Sequence, residues 1–185
     1  MSSTMLKLIP NTKLKLNSIH RDSLQIPGFE PWYVRATNPA LSVMIDFRTR
    51  SSVTVQETSS LDDALEHMKH AGVRCAFVID DNRKAVVGML TAYDILGEKP
   101  QQHMHFTRLS HDEVQVKDIM QKIGDWQVVD IRDIEQSTVG DVLDVFNETG
   151  VTHLPVMETT ESNEPRLRGL LSFAKVKRLL VNHLT

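Results

Sequence analysis

The stretch 53–96 is written a second time at 129–180, and this duplication constrains the fold more than any single residue. Ser60 is followed twelve residues later by Gly72, and Thr138 twelve later by Gly150. From there the copies run in step: Val73-Arg74-Cys75-Ala76-Phe77-Val78-Ile79-Asp80 matches Val151-Thr152-His153-Leu154-Pro155-Val156-Met157-Glu158, and Gly88-Met89-Leu90-Thr91 matches Gly169-Leu170-Leu171-Ser172. A unit repeated only twice is not a solenoid, which needs three or more repeats. It reads as two half-domains that bury their apolar faces against each other.

The 185 residues are enough to bury a core, and a hydrophobic content of 41% with 24% charged residues is that of an ordinary globular chain. A net charge of -3 gives no electrostatic reason to expect nucleic acid or a membrane as partner. Cys75 is the single cysteine, so an internal disulfide and a Cys-rich zinc site are both excluded. No apolar run approaches the roughly 18 residues that span a bilayer. The first twenty residues are basic and lack acids, without the apolar core of a secretory signal; they leave an organellar transit peptide open, and the expectation is a cytoplasmic protein with a flexible start.

Residues 1–38 show neither helical nor strand period and form an N-terminal extension, expected to wrap the body through Phe29, Trp32 and Tyr33. Asn38-Pro39 reads as an N-cap with proline at the first helical position, opening a short helix through Val43 and Met44; Ser110 and Glu113 form a capping-box pattern ahead of a similar helix, Val116-Lys117-Asp118-Ile119-Met120. Each repeat then predicts β-α-β-β-α. In the first, a strand at 53–55 precedes a helix opened by Ser60 and Asp63, with Leu61, Ala64, Leu65 and Met68 on one face and Gly72 as its left-handed stop. Strands at 76–79 and 85–90 and a helix at 92–96 complete it. In the second, a strand at 128–131 leads to the Thr138 and Asp141 box, an apolar face of Val139, Val142, Leu143 and Phe146, the Gly150 stop, strands at 154–157 and 167–171 joined by a polar loop, and a helix at 173–184. The expected organisation is an extension 1–38, a first repeat 39–97, a linker 98–111 and a second repeat 112–185, in an α/β (α+β) fold with the repeats packed as a pseudo-two-fold pair.

The duplicated pattern resembles a tandem pair of CBS domains, named after cystathionine beta-synthase, which together form a Bateman module. The resemblance spans roughly 43–184. Val116-Lys117-Asp118-Ile119-Met120 looks like the family's lead-in helix, Gly150-Val151-Thr152-His153-Leu154-Pro155-Val156 like its helix stop and strand, and Gly88-Met89-Leu90-Thr91-Ala92-Tyr93-Asp94 like its closing motif. It implies a stand-alone regulatory sensor of an adenosine-containing ligand, AMP, ADP, ATP or S-adenosylmethionine, bound in clefts between the repeats. In the family's closing motif a hydroxyl stands near ligand phosphate and an Asp on the ribose hydroxyls; Thr91 and Asp94 hold those positions, and a carboxylate is an acceptor-only partner suited to two ribose O–H donors. Val151, Thr152 and His153 would wall the base. In the second copy Ser172 keeps the hydroxyl but Lys175 replaces the Asp, so that the cleft it shares with Arg74 and Cys75 is read as empty, altered or turned to phosphate alone.

Plainer roles stand beside these. Asp94 could serve the helix dipole and Thr91 as an N-cap; His153 could be a structural histidine, Arg74 a solvated strand edge, and Cys75 a small core residue. His103, His105, His111 and Asp112 read as solvated linker rather than metal ligands. A ligand-free dimerisation or protein-interaction module is the alternative function. No nucleophile-base pair, phosphate loop or metal constellation points to an enzyme. A homodimer is expected, with Val176, Leu179 and Leu180 as part of its surface, together with a regulated protein whose identity the sequence leaves unknown.

Overall fold

The computed structural model describes residues 31–82 and 85–181. The N-caps of the two long helices form as the sequence predicts, the second as a full capping box. In helix α1 (Leu61–His70) the Ser60 hydroxyl accepts from the Asp63 amide at 3.1 Å; in α6 (Val139–Thr149) the Thr138 hydroxyl accepts from the Asp141 amide and the Thr138 amide donates in return to Asp141 Oδ2 at 2.8 Å. Gly72 and Gly150 follow these helices at φ 67° and 71°, where a Cβ would be strained. Leu61, Ala64 and Met68 of α1 and Val139, Val142 and Phe146 of α6 are buried, each set facing its own sheet.

Between and after these helices lie the remaining elements. The first repeat contains β2 (Thr54–Gln56), β3 (Cys75–Ile79), β4 (Val86–Thr91) and α2 (Ala92–Leu96). The second contains β6 (Val129–Asp130), α5 (Ile131–Gln136), β7 (His153–Thr159), β8 (Pro165–Ser172) and α7 (Phe173–Leu179). Strand β2 runs parallel to β3, and β3 antiparallel to β4; β6, β7 and β8 repeat that arrangement.

The lead-in segments change sides. Strand β1 (Ile45–Asp46), which precedes the first repeat, pairs with β8 of the second; β5 (Gln121–Lys122), which precedes the second, pairs with β4 of the first. The two sheets therefore read β1-β8-β7-β6 and β2-β3-β4-β5. The short helix α4 (Val116–Ile119) goes with β5: Val116 N donates to Ser59 O and Lys117 N to Glu57 O, at the foot of α1. Symmetrically, Val139 N donates to Asn38 O and Gly140 N to Ala36 O at the foot of α6. The cores follow the exchange. Ala40, Val43 and Met44 are buried among second-repeat residues, and Val114, Val116 and Ile119 among first-repeat residues. A third cluster, Cys75, Phe77, Met89 and Leu170, joins the two sheets, with Phe47 and Trp126 edge-on and tilted against Phe77.

Glycine marks both crossings. A Cβ on Gly88 would stand 2.9 Å from Gln121 O, and one on Gly169 2.6 Å from Ile45 O. Among the described residues, the second crossing alone is also clamped by charge. Arg168 on β8, 3% exposed, donates to both carboxylate oxygens of Asp46 and lies 3.3 Å from Glu158 of β7. Burial raises the Asp46 pKa, but hydrogen bonds from Arg168 and Arg48 outweigh it and hold the carboxyl below its ordinary value.

Several expectations are corrected here. Asn38 is not an N-cap: its side chain accepts from the Arg35 amide, and Pro39 caps a single 3-10 turn, Ala40–Ser42. The Ser110 and Glu113 pair closes a 3-10 turn at His111–Glu113, while α4 takes its own box from Gln115 and Asp118. Trp32 and Tyr33 are exposed, and the extension is anchored by Val34, which is buried and bonds to Leu179 O; Phe29 lies outside the described residues. The connection between the repeats carries a nine-residue helix, α3 (Lys99–Thr107), and Asp130 caps the additional helix α5 through the Arg132 amide. The loop expected between the last two strands is a hairpin turned at Asn163, φ 62°. Helix α7 ends at Leu179, because Val181 N turns to bond Val34 O; positions 182–184 lie outside the described residues. Val176 and Leu179 are buried in the second core with Leu180 packed on it, so they do not offer the expected dimer surface.

Candidate functional site

The two closing motifs meet where each sheet hands its chain to its last helix. Cys75 faces Thr91 across β3 and β4, and His153 faces Ser172 across β7 and β8. Ala92 N donates to Arg74 O, and Phe173 N to Thr152 O, so the residue before each inner strand is tied to the start of each closing helix. This brings Arg74 and Tyr93 of the first repeat to Thr152, His153, Ser172, Phe173 and Ala174 of the second, around a cavity of about 150 Å³.

Sequence reasoning assigns Arg74 and Ser172 to one cleft and Thr152 and His153 to another; in the structure all four line this one cavity. Tyr93, Phe173 and Ala174 were not singled out. Tyr93 sits inside the quoted closing motif, and its 58% exposure is the feature a sequence cannot show. Val151 packs on the second core, Cys75 belongs to the cluster between the sheets, and Lys175 is half-buried on α7.

Thr91 and Asp94 hold each other. Thr91, buried, donates its amide at 2.8 Å and its hydroxyl at 2.7 Å to Asp94 Oδ2, and accepts from the Asp94 amide. The second carboxylate oxygen takes Lys99 Nζ of α3 at 2.5 Å. Ser172, at the equivalent place, makes no side-chain cap hydrogen bond, since the residue three positions on is Lys175. Asp94 is close enough to act on two neighbours. Burial, with that charge added, pushes the Cys75 thiol up to about 12, far from a reactive thiolate. Burial pulls His153 down to about 4 against the opposing pull of Asp94, so its ring is neutral at pH 7; Nδ1 lies 3.0 Å from Thr152 Oγ1. Arg74, exposed at the rim, is the formally charged side chain among the described residues lining the cavity.

Two closing motifs, exchanged lead-in strands and a cleft lined by both repeats define a duplicated domain of the CBS type. The CBS domain family model matches residues 43–100 and 116–182, more than half of the chain, and the chain belongs to that family as a tandem pair. Among solved structures, an uncharacterized conserved protein from Pyrococcus horikoshii is 19% identical over 78% of this chain and 92% of that one, with a TM-score of 0.53. A hemolysin-like protein containing a CBS domain, from Oenococcus oeni, is 20% identical over 80% and 93%, TM-score 0.50. These likenesses show the fold. CBSX2, a CBS-pair protein of Arabidopsis thaliana, solved in complex with AMP, is 26% identical over 77% and 94%, TM-score 0.48. Among curated proteins none matches. No helix among the described residues is long and apolar enough to cross a membrane.

Proposed function

We propose that this CBS pair is a regulatory protein of the cytoplasm that binds an adenosine-containing ligand, AMP, ADP, ATP or S-adenosylmethionine, in the cleft between its repeats and passes occupancy to a second protein. The observation that carries the reading is the cavity lined by both repeats, in which aromatic walls from Tyr93 and Phe173 surround a few convergent polar groups, Arg74, Thr152, His153 and Ser172. A ligand there would touch both halves at once, so binding would favour one relative setting of the repeats. At about 150 Å³ the cavity is smaller than the roughly 300–1,000 Å³ of a drug-sized site. It suits one ring or one ionised group of a nucleotide, with the remainder at the open rim beside Arg74.

Thermal denaturation with a panel of AMP, ADP, ATP and S-adenosylmethionine tests this. At a hundredfold excess over its dissociation constant a true ligand stabilises by about 2.7 kcal/mol, a rise of about 5 to 10 °C for a chain of this size. An unmoved melting temperature across the panel would replace the sensor with the second reading, a ligand-free dimerisation or interaction module. The specific observation favouring that alternative is that both oxygens of Asp94 already have partners within the chain.

A further inference from the structure

Helix α3 has little to hold it in place. It is short enough to be marginal by itself, Glu98 before it makes no side-chain cap, and Lys99 in its first turn sets a positive charge against the positive end of the helix dipole. Pro100 is its one buried residue, with Met104 packed on the first core. The contact that offsets this is the ion pair of Lys99 Nζ with Asp94 Oδ1 at 2.5 Å. Asp94 is singular in turn. Glu113, Asp118 and Asp141 also close capping boxes, yet among the described residues Asp94 is the one of the four that holds a lysine as well. Its Oδ2 is taken by the amide and hydroxyl of Thr91, so Oδ1 is the oxygen left for another donor, and Lys99 covers it. The carboxylate stands close to the cleft: Tyr93, its neighbour in the chain, lines the cavity, and its charge acts on His153, a lining residue from the other repeat.

We infer that Lys99 is a built-in occupant of Asp94, and that α3 is a strap which a donor-bearing ligand displaces from the closing motif when it takes that carboxylate. The inference rests on the proposed ligand reading and adds its regulation. An adenosine-containing ligand carries hydroxyl donors, and a carboxylate accepts from them only through an oxygen that is open. Ligand at Asp94 and a seated α3 are then alternatives, and the apparent affinity is lowered according to the fraction of molecules in which the strap is seated. Release removes the ion pair from a helix with few buried contacts, and such a helix frays first. Its last turn bears Phe106, 84% exposed, so occupancy of the cleft is expressed at the outer surface. The second closing motif has no such carboxylate, Lys175 standing in its place.

Calorimetric titration of the full chain with AMP, ADP, ATP and S-adenosylmethionine, repeated on Lys99→Met and Lys99→Arg and joined to hydrogen exchange, tests it. Lys99→Met keeps the stem and removes the charge from a half-exposed side chain, so the core is left intact. It should bind the tightest of the four about threefold tighter than the parent does, while Lys99→Arg, which restores the pair, should match the parent. Saturation with that compound should speed exchange of the Gln102 amide, bonded to Glu98 O in the first turn of α3, by about threefold in the parent and leave it unchanged in Lys99→Met. That sign is opposite to the slowing expected where a ligand only stabilises the whole fold. Equal or weaker binding by Lys99→Met, or exchange at Gln102 that the ligand leaves unmoved or slows in the parent, overturns the strap and leaves the adenosine site standing. Absence of binding by all four compounds in the parent and both variants overturns both.

Discussion

Gly88 and Gly169 are the residues at which the exchange of lead-in strands meets side-chain chemistry. Gly169→Ala should cost about 2 kcal/mol, since its Cβ would stand 2.6 Å from a backbone carbonyl that is held in a strand. Gly88→Ala should cost less, because its nearest neighbour is the flexible end of Met120, although Gln121 O stands behind it at 2.9 Å. Gly124→Ala, with nothing within 4 Å, should stay within about 0.5 kcal/mol of the parent. Urea denaturation of the three variants checks the order, and equal effects would remove the steric argument. His153 predicts a pH dependence of defined sign. Its folded pKa is depressed from 6.5 to about 4, so above 6.5 the neutral ring's contribution is fully present. Between those values the unfolded chain takes up a proton that the folded chain refuses, and stability falls with pH by about 3 kcal/mol in total. The difference in unfolding free energy between pH 7 and pH 5 should be smaller in His153→Gln than in the parent; an unchanged difference would contradict the burial of that ring.

Elements whose causes are local were legible, and those whose causes are distant were not. Helices α1 and α6 follow from a hydroxyl, a carboxylate three residues on and a glycine stop, all within a dozen residues. The exchanged strands β1 and β5 are two residues each, too short to show a period, and their partners lie far along the chain. The Arg168 and Asp46 clamp joins positions 122 residues apart, which no window of sequence reveals. The site divides in the same way. Arg74, Thr152, His153 and Ser172 could be singled out by resemblance, but that they share one cavity depends on how the two sheets pack. Lys99, which holds Asp94, comes from a helix that the sequence showed as linker. The clamp itself is testable. Asp46→Ala leaves a buried guanidinium with Glu158 alone and should cost about 2 kcal/mol. In hydrogen exchange, the amide of Phe47, bonded to Arg168 O, should lose protection in that variant while the amides of β3 keep theirs. Parallel loss in both sheets would mean that β1 is not a separately anchored edge.

For the whole molecule, the exchange of lead-ins makes the two repeats one cooperative body: each core contains residues that belong, by sequence, to the other half. A ligand gripped by both halves then acts on the pair and not on one repeat. We also propose a homodimer. Its apolar surface is not Val176, Leu179 and Leu180, which the second core takes up, but the exposed Leu96 and Phe106 on α2 and α3, 70% and 84% exposed. Light scattering should report twice the chain mass at micromolar concentration, and Phe106→Glu should return the monomer; a monomer in the parent protein would end that proposal. The central claim, one adenosine-type ligand held between the repeats, is met most directly by calorimetric titration of AMP into the intact protein. The account predicts saturable heat at one ligand per chain, abolished when Tyr93 and Phe173 are both replaced by Ala. The absence of saturable heat, or binding that survives the loss of both walls, would contradict it.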